Sequence, residues 1–133
     1  MKCINTATEK QLEMLKDTRS FGEYELKHEW SDRLTSTQTF RKKLELTGGI
    51  EYVFFLVTDP NVDATAIEIK DALGDQLDYE YNVSGLEKNI INFFFTADFD
   101  GSYYLLFRVI NKQQPSTCTY MGVLEGESDM EDF

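Results

Sequence analysis

Four aspartates lie in turn-forming segments, where their carboxylates could bind a cation. Asp98 and Asp100 belong to the sequence Asp-Phe-Asp-Gly, and Asp59 and Asp63 belong to a second loop. Calcium takes about six to eight oxygen ligands, usually carboxylates and carbonyls supplied by loops. Because Asp-Gly also meets the backbone requirements of a tight turn, the same residues fit a turn that holds no ion. We expect the turn, with calcium as the alternative and no other cofactor.

Aromatic side chains form the second candidate site. Trp30, Tyr79 and Tyr81, with Tyr103 and Tyr104, could stack on sugar rings if they lay together on an exposed sheet face. Aromatic residues at two-residue spacing are also typical of buried cores and cross-strand pairs. Core packing is the commoner outcome. We therefore expect these side chains to be buried, with a sugar-binding platform as the alternative.

Catalytic chemistry has little support in the sequence. His28 is the single histidine, so any Ser-His-Asp or Cys-His arrangement would depend on it. It lies between Leu26 and Trp30 in an alternating segment, and we expect a hydrogen-bonded, partly buried side chain there. With 24 acidic residues, some carboxylates will lie about 5 to 9 Å apart by chance, so such pairs do not identify a glycosidase. We predict that the chain is not an enzyme, with a hydrolase as the less favoured alternative.

Composition limits the partners. The 133 residues fit one domain, and 41% hydrophobic and 14% aromatic residues suffice for a packed core. Thirteen basic and 24 acidic residues give a net charge of −11, a field that repels nucleic acid and anionic lipid. No apolar run approaches the roughly 20 residues of a membrane span, and no secretory signal is visible.

The elements that must position these residues follow from periodicity. Thr8 can cap a helix over residues 9–17, so residues 1–22 are predicted to form an N-terminal helical segment. From Tyr24 the apolar period becomes two, with turn signals about every ten residues, which predicts a β-sandwich or barrel domain over 23–124. Residues 125–133 form an acidic tail for which we expect disorder.

One pair of segments gives a strong strand signal. The apolar runs of residues 90–97 and 103–110 flank a short polar turn, and this pattern predicts a β-hairpin. The second run is apolar on both faces, interrupted by Arg108, and should be central in its sheet. We therefore predict an all-β, jelly-roll-like sandwich of about eight strands, with one N-terminal α-helix packed on an edge or end.

The order of three segments between about Phe40 and Leu124 resembles that of the bacterial pre-peptidase C-terminal (PPC) type domain. The segments are residues 44–54 with the Gly48-Gly49 turn, residues 67–75 ending in Asp-Ala-Leu-Gly-Asp, and residues 94–105 with Asp-Gly-Ser-Tyr-Tyr. The resemblance implies a small jelly-roll-like sandwich that is a non-catalytic accessory domain of a secreted or envelope protein. Many members carry a close aspartate pair before the Asp-x-x-Gly turn, whereas residues 65–69 here read Thr-Ala-Ile-Glu-Ile.

The resemblance implies a non-catalytic, extracytoplasmic accessory or interaction domain that presents its surface to a protein or a polysaccharide. This location assumes a removed signal peptide, and a cytoplasmic location is the alternative. A second function is a carbohydrate-binding module that uses Trp30, Tyr79 and Tyr81. Cys3 and Cys118 are too far apart for a Cys-x-x-Cys motif; they are either two thiols or one disulfide of an oxidising compartment.

Overall fold

The computed structural model describes residues 24–59, 62–82 and 89–126, and it contains eight β-strands. No helix occurs among the described residues, so the all-β prediction is confirmed for this part of the chain. The predicted helical segment 1–22 and residues 127–133 of the predicted tail lie outside the described residues. The strands are β1 (Glu25–Leu34), β2 (Phe40–Leu46), β3 (Glu51–Thr58), β4 (Ala64–Asp71), β5 (Gln76–Asn82), β6 (Ile90–Thr96), β7 (Gly101–Ile110) and β8 (Thr117–Glu125).

The strands form two four-stranded antiparallel sheets. Sheet A has the order β1-β8-β3-β6, and sheet B has the order β2-β7-β4-β5. Among these strands, only β4 and β5 are consecutive in the chain and paired in the same sheet. Each of the other connections joins a strand of one sheet to a strand of the other, so the chain passes repeatedly between the two layers.

The core lies between the sheets and draws on every strand except β5. Strands β3, β6 and β8 of sheet A present Phe54, Phe93 and Met121, which meet Ile67 and Phe107 of sheet B in one buried cluster. Each such side chain contributes about 1.5–3 kcal/mol by leaving water. Strand β7 is central in its sheet, as its two apolar faces predicted. Strand β5 lies at the edge of sheet B and is almost wholly exposed.

The predicted hairpin of β6 and β7 is wrong. Strand β6 pairs with β3 in sheet A, whereas β7 pairs with β2 and β4 in sheet B. The turn after β6 crosses between the layers and is bound to the β2–β3 turn, where Gly49 N–H donates to the carbonyl of Ala97 at 2.8 Å. The two aromatic runs meet through side chains instead, since the rings of Phe95 and Tyr103 pack edge to face at 5.9 Å.

The prediction of a partly buried His28 is also wrong. A β-bulge between Leu26 and His28 shifts the register of β1 against β8, and an extra residue reverses the face on which later side chains lie. Leu26 therefore packs on the outer layer of sheet A, whereas His28 and Trp30 share the opposite face, on which Trp30 packs against the core. His28 nonetheless lies at the edge of the sheet and is exposed. The imidazole stacks on the indole of Trp30, with ring centroids 5.6 Å apart.

The outer face of sheet A, which is turned away from sheet B, is apolar as well. Val53 and Phe55 of β3 and Tyr120 of β8 are buried in a second cluster, and Tyr24 and Leu26 pack against it. Phe55 and Tyr120 stack with centroids 5.9 Å apart. Two carboxylates accept hydrogen bonds from tyrosine hydroxyls on this face: Glu51 accepts from Tyr24, and Glu29 accepts from Tyr120.

The described residues contain no helix that is long and apolar enough to cross a membrane.

Strand β8 continues slightly beyond the predicted domain boundary at residue 124. It includes Glu125, and Gly126 N–H donates to the carbonyl of Glu51 at 2.8 Å. The sheet therefore incorporates the first residues of the segment that was predicted to be a tail.

Gly122 of β8 is expected to tolerate no side chain. A Cβ there would lie 2.3 Å from the Phe55 ring and 2.8 Å from the carbonyl oxygen of His28. Replacing Gly by Ala within a strand should by itself gain about 0.5–1 kcal/mol, but overpacking typically costs about 1–3 kcal/mol. Since Phe55 is buried and cannot swing into solvent, the clash dominates. Gly122→Ala should therefore lower the midpoint of thermal unfolding.

Two further variants test that explanation. Asn92→Ala, at an exposed position on the same face opposite Phe55, should change stability by less than about 0.5 kcal/mol. In a Phe55→Leu background the cost of Gly122→Ala should shrink, because the ring that causes the clash is gone. An equal cost in both backgrounds would contradict the packing explanation.

Stability should fall at alkaline pH through Tyr24. Burial, the hydrogen bond to Glu51 and the charge of Glu51 raise the pKa of Tyr24 from 10.0 to about 12. The folded state then holds its phenolic proton more tightly than the unfolded state. This contribution is complete below about pH 10 and is lost as the pH rises towards about 12. Tyr24→Phe should make the fall of unfolding free energy with pH shallower.

Urea unfolding at several pH values between about 9 and about 12 measures how steeply the unfolding free energy falls with pH. Glu51→Gln keeps an acceptor but removes the charge, so it should give a slope between those of the wild type and Tyr24→Phe. Identical slopes in all three proteins would show that this hydrogen bond does not link stability to pH.

Candidate functional surface

The outer face of sheet B collects side chains from all four of its strands. Directly paired residues of neighbouring strands share a face. One row therefore runs from Arg41 through Leu106 and Glu68 to Tyr79. In the next row, Ala66 of β4 pairs with Arg108 on one side and with Tyr81 on the other.

The β4–β5 turn sets the position of the two tyrosines. The carboxylate of Asp71 accepts hydrogen bonds from the backbone N–H groups of Leu73 and Asp75, both at 2.9 Å. Gly74 has φ of +91°, a conformation that side-chain-bearing residues rarely adopt. The Asp-x-x-Gly sequence thus closes a tight turn, and the strand that follows begins in a fixed register.

Tyr79 and Tyr81 are exposed, with 60% and 50% of their surfaces accessible. Between them lies a shallow recess of about 140 Å³, whose floor includes Ala66, Glu68 and Arg108. A smaller recess of about 10 Å³ lies on the other side of Tyr81 and is also lined by Arg108. Enclosed sites for small molecules measure about 300–1,000 Å³, so this surface suits a ligand that lies across it.

Tyr104 belongs to the same face. It pairs with Lys43 on one side and Lys70 on the other. The guanidinium of Arg41 lies over its ring, 4.0 Å from the centroid, a cation–π contact that holds both side chains flat against the sheet. Tyr104 is therefore flanked by cationic side chains on the outer face of sheet B.

The other predicted aromatic site residues lie elsewhere. Trp30 is on β1 of sheet A and packs against Phe40 and Phe107 at the edge between the sheets. Lys42 lies 5.7 Å from its ring centroid. Tyr103 is in the core and donates a hydrogen bond to the carbonyl of Phe99 at 2.7 Å. The structure thus separates Trp30 from Tyr79 and Tyr81.

The four aspartates fall into two separate groups. Asp98 and Asp100 lie in the β6–β7 turn, next to the start of β3, whereas Asp59 follows the end of β3. Strand β3 has eight residues, so these ends are about 25 Å apart. Asp63 belongs to the same β3–β4 connection as Asp59, and its carboxylate accepts a hydrogen bond from Lys112 N–H at 2.6 Å. The described residues include no group of three or more His, Cys, Asp or Glu side chains placed to hold a metal ion.

Cys118 is buried in β8 on the outer layer of sheet A. Cys3 lies outside the described residues, so the expected pair of thiols and the alternative Cys3–Cys118 disulfide both stay untested.

Several residues of this surface were not identified as site residues from the sequence. Arg108 was visible as the one charge in an otherwise apolar run, and such an interruption marks an exposed position on a central strand. Glu68, Gln76 and Ala66 gave no signal, because their place beside the tyrosines depends on the pairing of β4 with β5.

Comparison with models of known protein families gives no match, and no curated protein sequence is significantly similar to this chain. The function must therefore be argued from the surface itself.

Asp100 is expected to act as a turn residue. Its carboxylate accepts a hydrogen bond from Gly48 N–H at 2.7 Å, and a bond of this kind contributes about 0.5–1.5 kcal/mol. Asp100→Ala should lower stability by that amount, while Asp100→Asn, which keeps an acceptor oxygen, should cost less. Thermal melts of each protein measure the effect.

The same melts in calcium and in excess EDTA distinguish the turn from a metal site. Saturating calcium at about 100 times its dissociation constant would add about 2.7 kcal/mol. The turn interpretation expects equal midpoints in both buffers. A calcium-dependent rise that is absent in Asp100→Ala would establish the metal site instead.

Proposed function

We propose that the chain is a non-catalytic binding domain that holds a glycan chain on the outer face of sheet B. The observation that carries this proposal is the pair of exposed tyrosines, Tyr79 and Tyr81, beside a shallow, mainly apolar recess that polar side chains also line. Residues two apart on a strand lie about 7 Å from each other on the same face. Two rings at that spacing offer successive stacking surfaces to an extended chain.

The polar groups around the rings suit sugar hydroxyls. Glu68 provides carboxylate acceptors, Gln76 provides an amide, and Arg108 provides N–H donors, all lining the recess between the tyrosines. Binding sites commonly combine apolar and aromatic walls with a few such polar groups that fix the orientation of the ligand.

We also propose that the sandwich is a jelly roll. The strand orders β1-β8-β3-β6 and β2-β7-β4-β5 support a jelly roll, which is also the fold implied by the resemblance to PPC-type domains. We propose on this basis an accessory domain of an extracytoplasmic protein. Measuring reactive thiols in the folded and denatured protein tests that location, because a Cys3–Cys118 disulfide would favour an oxidising compartment.

Other exposed apolar side chains give less support to a protein partner. Leu73, Phe94 and Phe99 are exposed, but they belong to the β4–β5 turn, to the edge strand of sheet A and to the β6–β7 turn. They are scattered over different parts of the sandwich, and single exposed apolar residues are ordinary on protein surfaces.

The test is affinity gel electrophoresis of the full chain against a panel of neutral and acidic polysaccharides. Retardation by at least one glycan is expected, and Tyr79→Ala and Tyr81→Ala should each weaken it by about fivefold or more, the effect of losing about 1 kcal/mol. Both side chains are largely exposed, so the melting temperature of either variant should change little.

Phe94→Ala is the matched control, because it removes an equally exposed ring from the outer face of sheet A. It should leave retardation unchanged. The proposal fails if no glycan retards the chain, or if Phe94→Ala weakens binding as much as the tyrosine variants do.

A further inference from the structure

The strand residues that point outward from sheet B include more cations than carboxylates, and the exposed Asp78 and Glu80 of β5 point to the opposite face. The chain has a net charge of −11. On this face, however, the strand register places the cationic side chains of Arg41, Lys43, Lys70 and Arg108 against the carboxylates of Glu45 and Glu68 alone, among the described strands. An acidic protein that concentrates cations on one face is complementary there to an anionic ligand.

Arg108 is the cation that lines the recess beside the tyrosines. It lies on the central strand β7, is exposed, and lines the recesses on both sides of Tyr81. Within the described part of the chain, its guanidinium forms no hydrogen bond or ion pair, including with Glu68 across the recess. An unpaired guanidinium held beside aromatic rings is a ready partner for a carboxylate, which it can bind through two parallel hydrogen bonds.

We infer that the ligand is an acidic polysaccharide whose sugars carry carboxylates, that is, a uronate-containing glycan. This inference rests on the proposed function of the same face. Tyr79 and Tyr81 would stack on sugar rings, while Arg108 would bind a carboxylate of the sugar that lies over Ala66.

Charge density favours this ligand over a more strongly charged polymer. Double-stranded nucleic acid carries a charge about every 1.7 Å and would meet the negative field of the rest of the chain. A uronate glycan carries at most one carboxylate on each sugar, and neutral ring faces separate these groups. Neutral sugar rings separated by single carboxylates suit a face on which exposed tyrosines lie beside Arg108.

The first experiment compares two forms of one polymer. Affinity gels contain either polygalacturonate or the same polymer with its carboxylates methyl-esterified, and EDTA is present so that calcium cannot cross-link the polymer. The full chain should be retarded by the acid form and at least about tenfold less by the ester, which keeps the sugar rings and loses the charges. Alginate and hyaluronan extend the test to other uronates, and a neutral glucan and polyglutamate complete the panel.

The second experiment uses matched arginine variants. Arg108→Gln removes the charge from the outer face of sheet B and should weaken uronate binding at least about tenfold. Arg33→Gln makes the same change on β1 of sheet A, where Arg33 donates to Ser116 at 3.3 Å, and should leave binding unchanged. Binding by the wild type should also weaken with added salt, and that dependence should be smaller in Arg108→Gln.

The outcomes separate this inference from the proposed function. Equal retardation by acid and ester, or retardation by the neutral glucan alone, overturns the uronate and leaves a tyrosine-dependent glycan site in place. Binding of polyglutamate that equals uronate binding and is lost in Arg108→Gln would make the ligand an acidic peptide and overturn the uronate. Failure of all three uronates to retard the chain overturns it as well. Failure of every glycan overturns both proposals.

Discussion

The burial of Ile67 and Ile69 in β4 fixes the arrangement of sheet B. Both side chains are fully buried between the sheets, so the alternation of the strand turns Ala66 and Glu68 outward. A slip of one residue would expose the two isoleucines, at about 1.5–3 kcal/mol each, and would bury the carboxylate of Glu68. Because β7 and β5 pair with β4 on either side, the same constraint directs the side chains on both neighbours.

Strand β5 shows how an edge strand can carry a surface without serving the core. Its inward positions opposite Ile67 and Ile69 are Glu80 and Asp78, and both are exposed. Inward-pointing charges on an edge strand discourage pairing with another chain. Strand β5 is therefore better suited to presenting its side chains to solvent than to pairing with a strand of another molecule. Tyr79 and Tyr81, which alternate with those charges, consequently face outward, and their replacement removes nothing from the packed interior.

The sequence predicted the presence of strands more accurately than it predicted which strands pair with one another. The apolar period of two predicted a β-domain correctly, and the two apolar faces of β7 predicted its central place. Alternation shows that two faces differ, however, and leaves open which face is buried. Tyr79 and Tyr81 alternate with acidic residues as a buried face would, yet they are exposed, because the pairing of β5 with β4 places them on the outer face of sheet B. The bulge before His28 and the crossing between β6 and β7 depend on contacts distant in sequence, which a local pattern does not contain.

The two outer faces of the sandwich differ in a way that favours sheet B as the binding surface. On sheet A, Val53 and Phe55 are buried in a continuous apolar layer, and Gly122 is required to seat the Phe55 ring. On sheet B, Arg108 and Tyr81 line open recesses above a rigid ladder of paired strands. A ligand that binds a preformed sheet face loses little free energy to ordering the protein, and tyrosine, with two side-chain torsions, adds little more. Rings and cations held in this way can select a ligand by spacing and charge, so a shallow surface does not need the enclosure of a deep pocket.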